Sequence, residues 1–202
     1  MATTRPRARK GQSELREQIL DMTERLLVEL GSEEAVSIRV VADAVGVTPP
    51  AIYRHFADKA DLVFEVCARH FAQFDEVIAE AVEGVDDPVD VLRRMGTAYV
   101  RFGLEHPEHY RIMFMAPAWY TPEKWENILN TGAFAQLIQR IEAIIDAGLM
   151  RPGADAFSVA LHTWANIHGL TSLLVARPSI PWPDLDQLID EHLDICLRAH
   201  LA

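Results

Sequence analysis

Residues 37–62 read SIRVVADAVGVTPPAIYRHFADKADL. In this stretch the apolar residues Ile38, Val41, Ala42 and Val45 recur three and four apart, the period of a helix buried on one face. Ser37 precedes them as an N-cap and Gly46 follows as a stop. Thr48 caps a second helix running to about Phe56, with Pro49 at the first helical position, where its missing N–H costs nothing. Val47, Ile52 and Phe56 extend the same small core. Two short helices about a tight turn at Gly46-Val47 have the spacing of a helix-turn-helix, whose second helix lies in the major groove of DNA. In that geometry Thr48 presents its hydroxyl and the free N–H groups of the helix to a phosphate. Pro50 and Ala51 offer apolar contact, for instance to thymine methyls. Tyr53, Arg54 and His55 lie on the exposed side, and Lys59 opens the next helix. Any helical hairpin with a solvated face fits the same pattern.

Outward from this stretch the punctuation stays helical. Leu15, Ile19, Met22, Leu26 and Leu30 line one face of a first helix that Gly31 ends. Asp58 opens a long helix reaching near Glu83, and Asp87-Pro88 starts another that ends near His106-Pro107. A short helix follows from Pro107 to about Met115. Thr121-Pro122 opens one running to Ala147, with Gly148 past its end. Asp155–Arg177 and Pro183 to about Leu201 complete about nine helices. No segment alternates with period two and nothing repeats at a fixed period. The expected class is therefore all-α: a three-helix helix-turn-helix lobe and a larger C-terminal helical domain. Short linkers predict one compact unit. The expected divisions are a basic flexible arm over 1–11, a DNA-binding domain over 12–60, and a ligand-binding and dimerisation domain over 61–202.

Composition excludes several classes. The chain has 202 residues, of which 50% are hydrophobic and 24% charged, near the average of globular proteins and unlike disordered or fibrous ones. The net charge of −11 speaks against nucleic acid until its distribution is read: residues 1–60 hold nine Lys/Arg and nine Asp/Glu, so the whole excess falls on 61–202. Arg5, Arg7, Arg9 and Lys10 make a locally basic tip. The longest apolar run, Ile112 to Tyr120, is nine residues long and contains Pro117, too short to cross a bilayer. The charged N-terminus lacks the apolar segment of a signal peptide, so the expected compartment is the cytoplasm, at the nucleoid. Cys67 and Cys196 form no spaced set and read as two reduced, packed thiols. There is no G-x-S-x-G elbow, phosphate loop or H-E-x-x-H, so neither an enzyme nor a cofactor is expected.

Residues 15–62 resemble the DNA-binding domain of TetR (tetracycline-repressor-like) transcription regulators. The resemblance rests above all on Ile52-Tyr53-Arg54-His55-Phe56 followed by Lys59 and Leu62, together with the Arg-rich arm. It implies phosphate contacts from Thr48, Tyr53, His55 and Lys59, support from Arg39, and base contacts from positions 49, 50, 51 and 54. Pro49-Pro50 departs from the polar or small residues usual there, and neither side chain can hydrogen-bond a base. Arg54 and the arm then supply more of the discrimination.

The second half resembles the Trp-x-x-x-His-Gly branch of that family, with Trp164, His168 and Gly169, and His106 to Phe114 (HPEHYRIMF) as a companion segment. This resemblance implies a small-molecule pocket and a homodimer through the last two helices. Each half-site helix can then read one groove of a palindromic operator, about 34–36 Å apart. Mid-chain aromatics and methionines suit an adaptable apolar cavity. The candidate lining is Tyr99, Phe102, Met113, Trp119, Trp125 and Phe134, with polar contacts from His162, Asn166 and His168. The same residues read one by one as ordinary core. No metal site is expected, because His162 and His168 are six apart and His106 and His109 sit at a Pro-marked helix start. Beside Gly169, His168 reads as a hydrogen-bonded imidazole at a close helix contact. The expected function is a repressor of transcription, released from double-stranded DNA by a small apolar or amphipathic effector. The alternative is a helical interaction protein on the same fold that has lost specific DNA binding.

Overall fold

The computed structural model describes residues 6–31, 33–114, 126 and 130–202, with side chains from residue 12 onward. Among these residues nine α-helices occur: α1 (Pro6–Leu30), α2 (Ile38–Val45), α3 (Pro49–Ile52), α4 (Lys59–Ala81), α5 (Pro88–Glu105), α6 (Pro107–Phe114), α7 (Ala133–Asp146), α8 (Ala156–Ala176) and α9 (Leu185–Arg198). The only extended pairing among them is an isolated bridge between Met150 and Leu201. The class is all-α, as the periodicity predicts.

The chain divides into two compact units: Met1–His70 with Arg111–Tyr120, and Phe71–Tyr110 with Thr121–Ala202. The first extends past the expected 12–60 span into α4. Helix α1 begins at Pro6, so residues 6–11 of the expected arm have helical backbone.

In the first unit α1 buries Ile19, Leu20, Thr23 and Leu27, while Leu30 is exposed. The buried stripe is thus rotated from the expected 15/19/22/26/30 face. Thr23 is tolerated there because its hydroxyl donates to the Ile19 carbonyl at 2.7 Å. Ser37 Oγ accepts the Val40 N–H at 3.2 Å at the start of α2. Gly46 ends α2 with φ +80°, a left-handed conformation that lets both Gly46 and Val47 N–H groups donate to Ala42 O. Val41, Ala42, Ala51, Ile52, Phe56 and Leu62 close this core. Arg16 lies over the Phe56 ring at 5.2 Å and pairs with Glu65 at 2.6 Å.

In the second unit three helices start with a Asp cap: Asp87 accepts from Asp90 N–H, Asp155 from Ser158 N–H and Asp184 from Gln187 N–H, at 2.7–3.0 Å. The last helix therefore begins after Asp184 and not at Pro183. Two glycines let α5 approach its neighbours: a Cβ at Gly103 would stand 2.4 Å from Thr171 Cγ2, and one at Gly96 2.4 Å from Leu193 Cδ2. The helix expected to run unbroken from 122 to 147 instead restarts at Ala133 after Gly132. Asp75 of α4 explains the break, since its carboxylate accepts the Ala133 N–H at 2.7 Å and leaves no room for a Cβ at Gly132. Burial raises the Asp75 pKa, and the bond from Ala133 opposes that shift.

Candidate functional site

The reading surface is smaller and drier of hydrogen-bond donors than the sequence implied. Helix α3 has four residues and not the eight expected to Phe56. It closes because the His55 N–H turns back to Ile52 O at 2.8 Å, a tight turn that starts at Tyr53. Three positions of its first turn offer no donor to the expected phosphate site. Pro49 and Pro50 have none, and the Ala51 N–H donates to Thr48 O at 2.8 Å. Thr48 makes no side-chain capping bond and is exposed, so its hydroxyl faces solvent.

Ala51, expected to contact a base, is 5% exposed and packs in the lobe's core. Arg39, Pro50, Tyr53 (55% exposed) and Arg54 stand in solvent, with Pro49 and His55 partly covered. The His55 ring tilts against Phe56 at 6.4 Å. Lys59 is engaged inside the lobe. Its Nζ donates to Glu33 O at 2.6 Å and pairs with the Glu33 carboxylate at 3.4 Å. Glu33 was invisible as a partner because it lies 26 residues upstream, in the Glu33–Ala35 turn, outside any helical spacing rule.

The second candidate site gathers in the second unit. Trp164, His168 and Ser172 follow one another at i, i+4 and i+8 on α8, hence on one stripe. Tyr99 reaches them from α5 and Tyr110 from α6. His168 Nδ1 lies 2.9 Å from Tyr99 Oη and 2.7 Å from Tyr110 Oη. Trp164 Nε1 donates to Tyr99 Oη at 3.3 Å, and Ser172 Oγ is 3.3 Å from both His168 Nε2 and Tyr110 Oη. Tyr110 also reaches His168 O at 3.3 Å. Burial pushes both phenols above their ordinary range and His168 below its own, so all three are uncharged near neutral pH. Aromatic edges frame the cluster: Phe74 meets Tyr99 at 5.2 Å and Phe102 at 5.1 Å, and Phe134 meets Trp164 at 5.6 Å.

Of the expected pocket residues, Tyr99, Phe102, Phe134 and His168 meet around this cluster. Trp119 and Trp125 lie outside the described residues. Met113 is buried in the first unit. His162 and Asn166 are exposed and take no part. They sit roughly 240° and 200° around the helix from His168, at 100° per residue. Asn166 Nδ2 donates to His162 O at 2.9 Å, and the His162 ring stacks on His200 at 5.7 Å. Tyr110 and Ser172 were missed. The sequence signal for Ser172 is its place one turn beyond the Trp164/His168 stripe; for Tyr110 it is only the HPEHYRIMF segment. Among the described residues nothing lies within 4 Å of a Cβ built at Gly169, where close packing is expected.

Residues 19–66 match the family described as bacterial regulatory proteins, tetR family, and residues 92–196 match the tetracyclin repressor-like C-terminal domain. The chain belongs to the TetR family. It is 37% identical over 83 residues to the HTH-type transcriptional regulator AcrR of Shigella flexneri, covering 41% of this chain and 38% of the relative. It is 29% identical over 101 residues to the HTH-type transcriptional activator FasR of Mycolicibacterium smegmatis, covering 50% of this chain and 46% of that relative. The chain thus spans less than half the length of the curated relatives it matches. Along nearly the whole chain, a TetR family transcription regulator from Marinobacter aquaeolei VT8 has the same fold, with TM-score 0.73, 23% identity, and coverage of 96% of this chain and 98% of that one. No described helix is long and apolar enough to cross a membrane.

Proposed function

We propose that this TetR family chain is a transcriptional repressor that binds double-stranded DNA through α2 and α3 and is released by a small uncharged or amphipathic molecule held near Tyr99 and His168. The observation that carries the DNA reading is the exposed set Arg39, Thr48, Pro50, Tyr53 and Arg54 on a lobe whose own core is complete. Cations and hydroxyls position such a lobe on phosphates. With Pro49 and Pro50 at the start of α3 and the Ala51 N–H turned back to Thr48 O, Thr48 and Tyr53 hold the backbone through their hydroxyls. Arg54 reads a base edge, and Pro50 packs on a thymine methyl.

Dimerisation completes the reading. Phe157, Leu161, Ala165, Gly169 and Leu173 recur every four residues along α8 and are exposed, as is Ile195 of α9 at 72%. A second copy laid on α8 and α9 buries this stripe, forms a four-helix interface and finds the open space at Gly169. The operator is then a palindrome, and the effector shifts the population toward dimers whose two α3 helices no longer match successive grooves.

The test is binding to duplex DNA from the region upstream of its own gene, with and without a hundredfold excess of random duplex. Sequence-selective binding of two subunits per site supports the proposal. Equal affinity for random DNA, or none, favours the alternative that the donor-poor α3 has left this fold without specific DNA binding.

A further inference from the structure

The residue that holds Lys59 inside the lobe is an acid. We infer that Glu33 withholds Lys59 from the phosphate backbone, so that sequence-independent affinity for duplex DNA is kept low by an ion pair within the reading lobe. This inference rests on the DNA-binding reading above.

Lys59 is the first residue of α4, and the turn that closes α3 at His55 lies just before it. From that place, beside the exposed Tyr53 and Arg54, a long cationic side chain can meet a phosphate. Its ammonium is engaged elsewhere. Nζ donates to Glu33 O at 2.6 Å and stands 3.4 Å from the Glu33 carboxylate. Both contacts fall on one residue because Glu33 opens the Glu33–Ala35 turn, where its carbonyl also accepts the Val36 N–H at 3.0 Å. Val36 is buried and anchors that turn to the core. The Lys59 side chain is 33% exposed and that of Glu33 12%, so the pair is sheltered from much of the salt that screens surface charges.

Electrostatics sets the consequence. A cation gains DNA affinity by neutralising a phosphate and releasing its condensed counterion. Lys59 already has a carboxylate for its counter-ion, and a phosphate reaching the ammonium would meet that second anion beside it. Once the carboxylate is made neutral, the remaining strong partner is a backbone carbonyl shared with the Val36 N–H. A charge-assisted bond to phosphate is stronger than that contact and draws the flexible Lys59 side chain outward. The added contact reads no base, so it strengthens binding to every duplex alike.

The test is the affinity of the full chain for upstream and random duplex DNA between about 50 and 200 mM salt. Glu33→Gln is expected to bind both duplexes about tenfold more tightly at the lowest salt and to steepen the log–log salt slope by about 0.9. Glu34→Gln removes the same charge one residue along and should change affinity by less than about twofold. Lys59→Met should cost about tenfold in the Glu33→Gln chain but only about twofold beside an intact Glu33. Equal costs of Lys59→Met in the two backgrounds, an equal gain in Glu34→Gln, or an unchanged salt slope in a folded Glu33→Gln overturns the inference. If Glu33→Gln does not fold, Lys59→Met in the wild-type chain decides alone: a slope close to that of wild type is expected, and a loss of about 0.9 overturns the inference. DNA binding by the wild type with no gain in Glu33→Gln overturns this inference alone, whereas no binding by any of the variants overturns the DNA reading with it.

Discussion

At the reading surface Arg39, Tyr53 and Arg54 hold their polar groups in solvent, whereas Tyr99, Tyr110 and His168 hold theirs against one another inside the second unit. The helices that carry them differ in the same sense. Both α3 and α5 start with proline, but α5 has Asp87 capping the Asp90 N–H and continues for 18 residues. Helix α3 has a second proline, no side-chain cap, and stops after four. Four residues cannot sustain a helix by propagation alone. What fixes α3 is the burial of Ala51 and Ile52 beneath it. The surface that meets a partner is thus kept short, uncapped and outward-facing, while the cluster proposed to sense a ligand takes Tyr99 and His168 from long helices capped by Asp87 and Asp155.

That contrast breaks first where the second unit is packed tightest. Gly103→Val places a Cβ 2.4 Å from Thr171 Cγ2. Overpacking there should cost about 3 kcal/mol in a urea unfolding titration of the full chain. A loss under about 0.5 kcal/mol would mean that α5 and α8 can move apart freely.

The caps give a smaller and more selective comparison. Asp87→Ala should destabilise by about 1 kcal/mol, because it removes a formed capping bond. Thr48→Ala should leave stability nearly unchanged, since no capping bond exists to lose, yet weaken DNA binding several-fold through the lost phosphate contact. Equal stability losses in the two variants would erase the distinction between the helix starts.

The pH dependence is subtler. Burial lowers the His168 pKa below its ordinary 6.5, and burial with His162 and Arg151 lowers that of His200. A histidine held neutral in the native state takes up its proton more readily when unfolded. Its contribution is present in full above about pH 6.5 and is lost as pH falls below it. The urea midpoint should therefore drop between pH 7.5 and 5.5, and drop less in His168→Gln. An identical drop in both would place the titration elsewhere.

Much of this fold was legible from residue types. Ser37, Gly46, Gly31 and the Asp caps mark helix ends by local chemistry, and local chemistry survives in a one-dimensional reading. The length of α3 was not legible, because it is set by the His55 N–H returning to Ile52 O and by burial of Ala51, both tertiary outcomes. The same holds for the restart at Ala133, which depends on Asp75, 58 residues away. At the candidate site, composition and motif single out Tyr99 and His168, which the structure brings within hydrogen-bond distance. Their meeting with Tyr110 and Ser172 depends on three helices converging, and His162 and Asn166 lie on another side of the helix because proximity in sequence is not a shared helical face.

The most direct measurement is the affinity of wild type, Tyr53→Ala and Arg54→Ala for upstream duplex DNA between about 50 and 200 mM salt. The account predicts that Tyr53→Ala weakens all duplexes about equally, by about 1–3 kcal/mol, and reduces no sequence preference, while Arg54→Ala costs a similar amount and relaxes preference at one position in each half-site. Folded variants that bind selectively with wild-type affinity would contradict it.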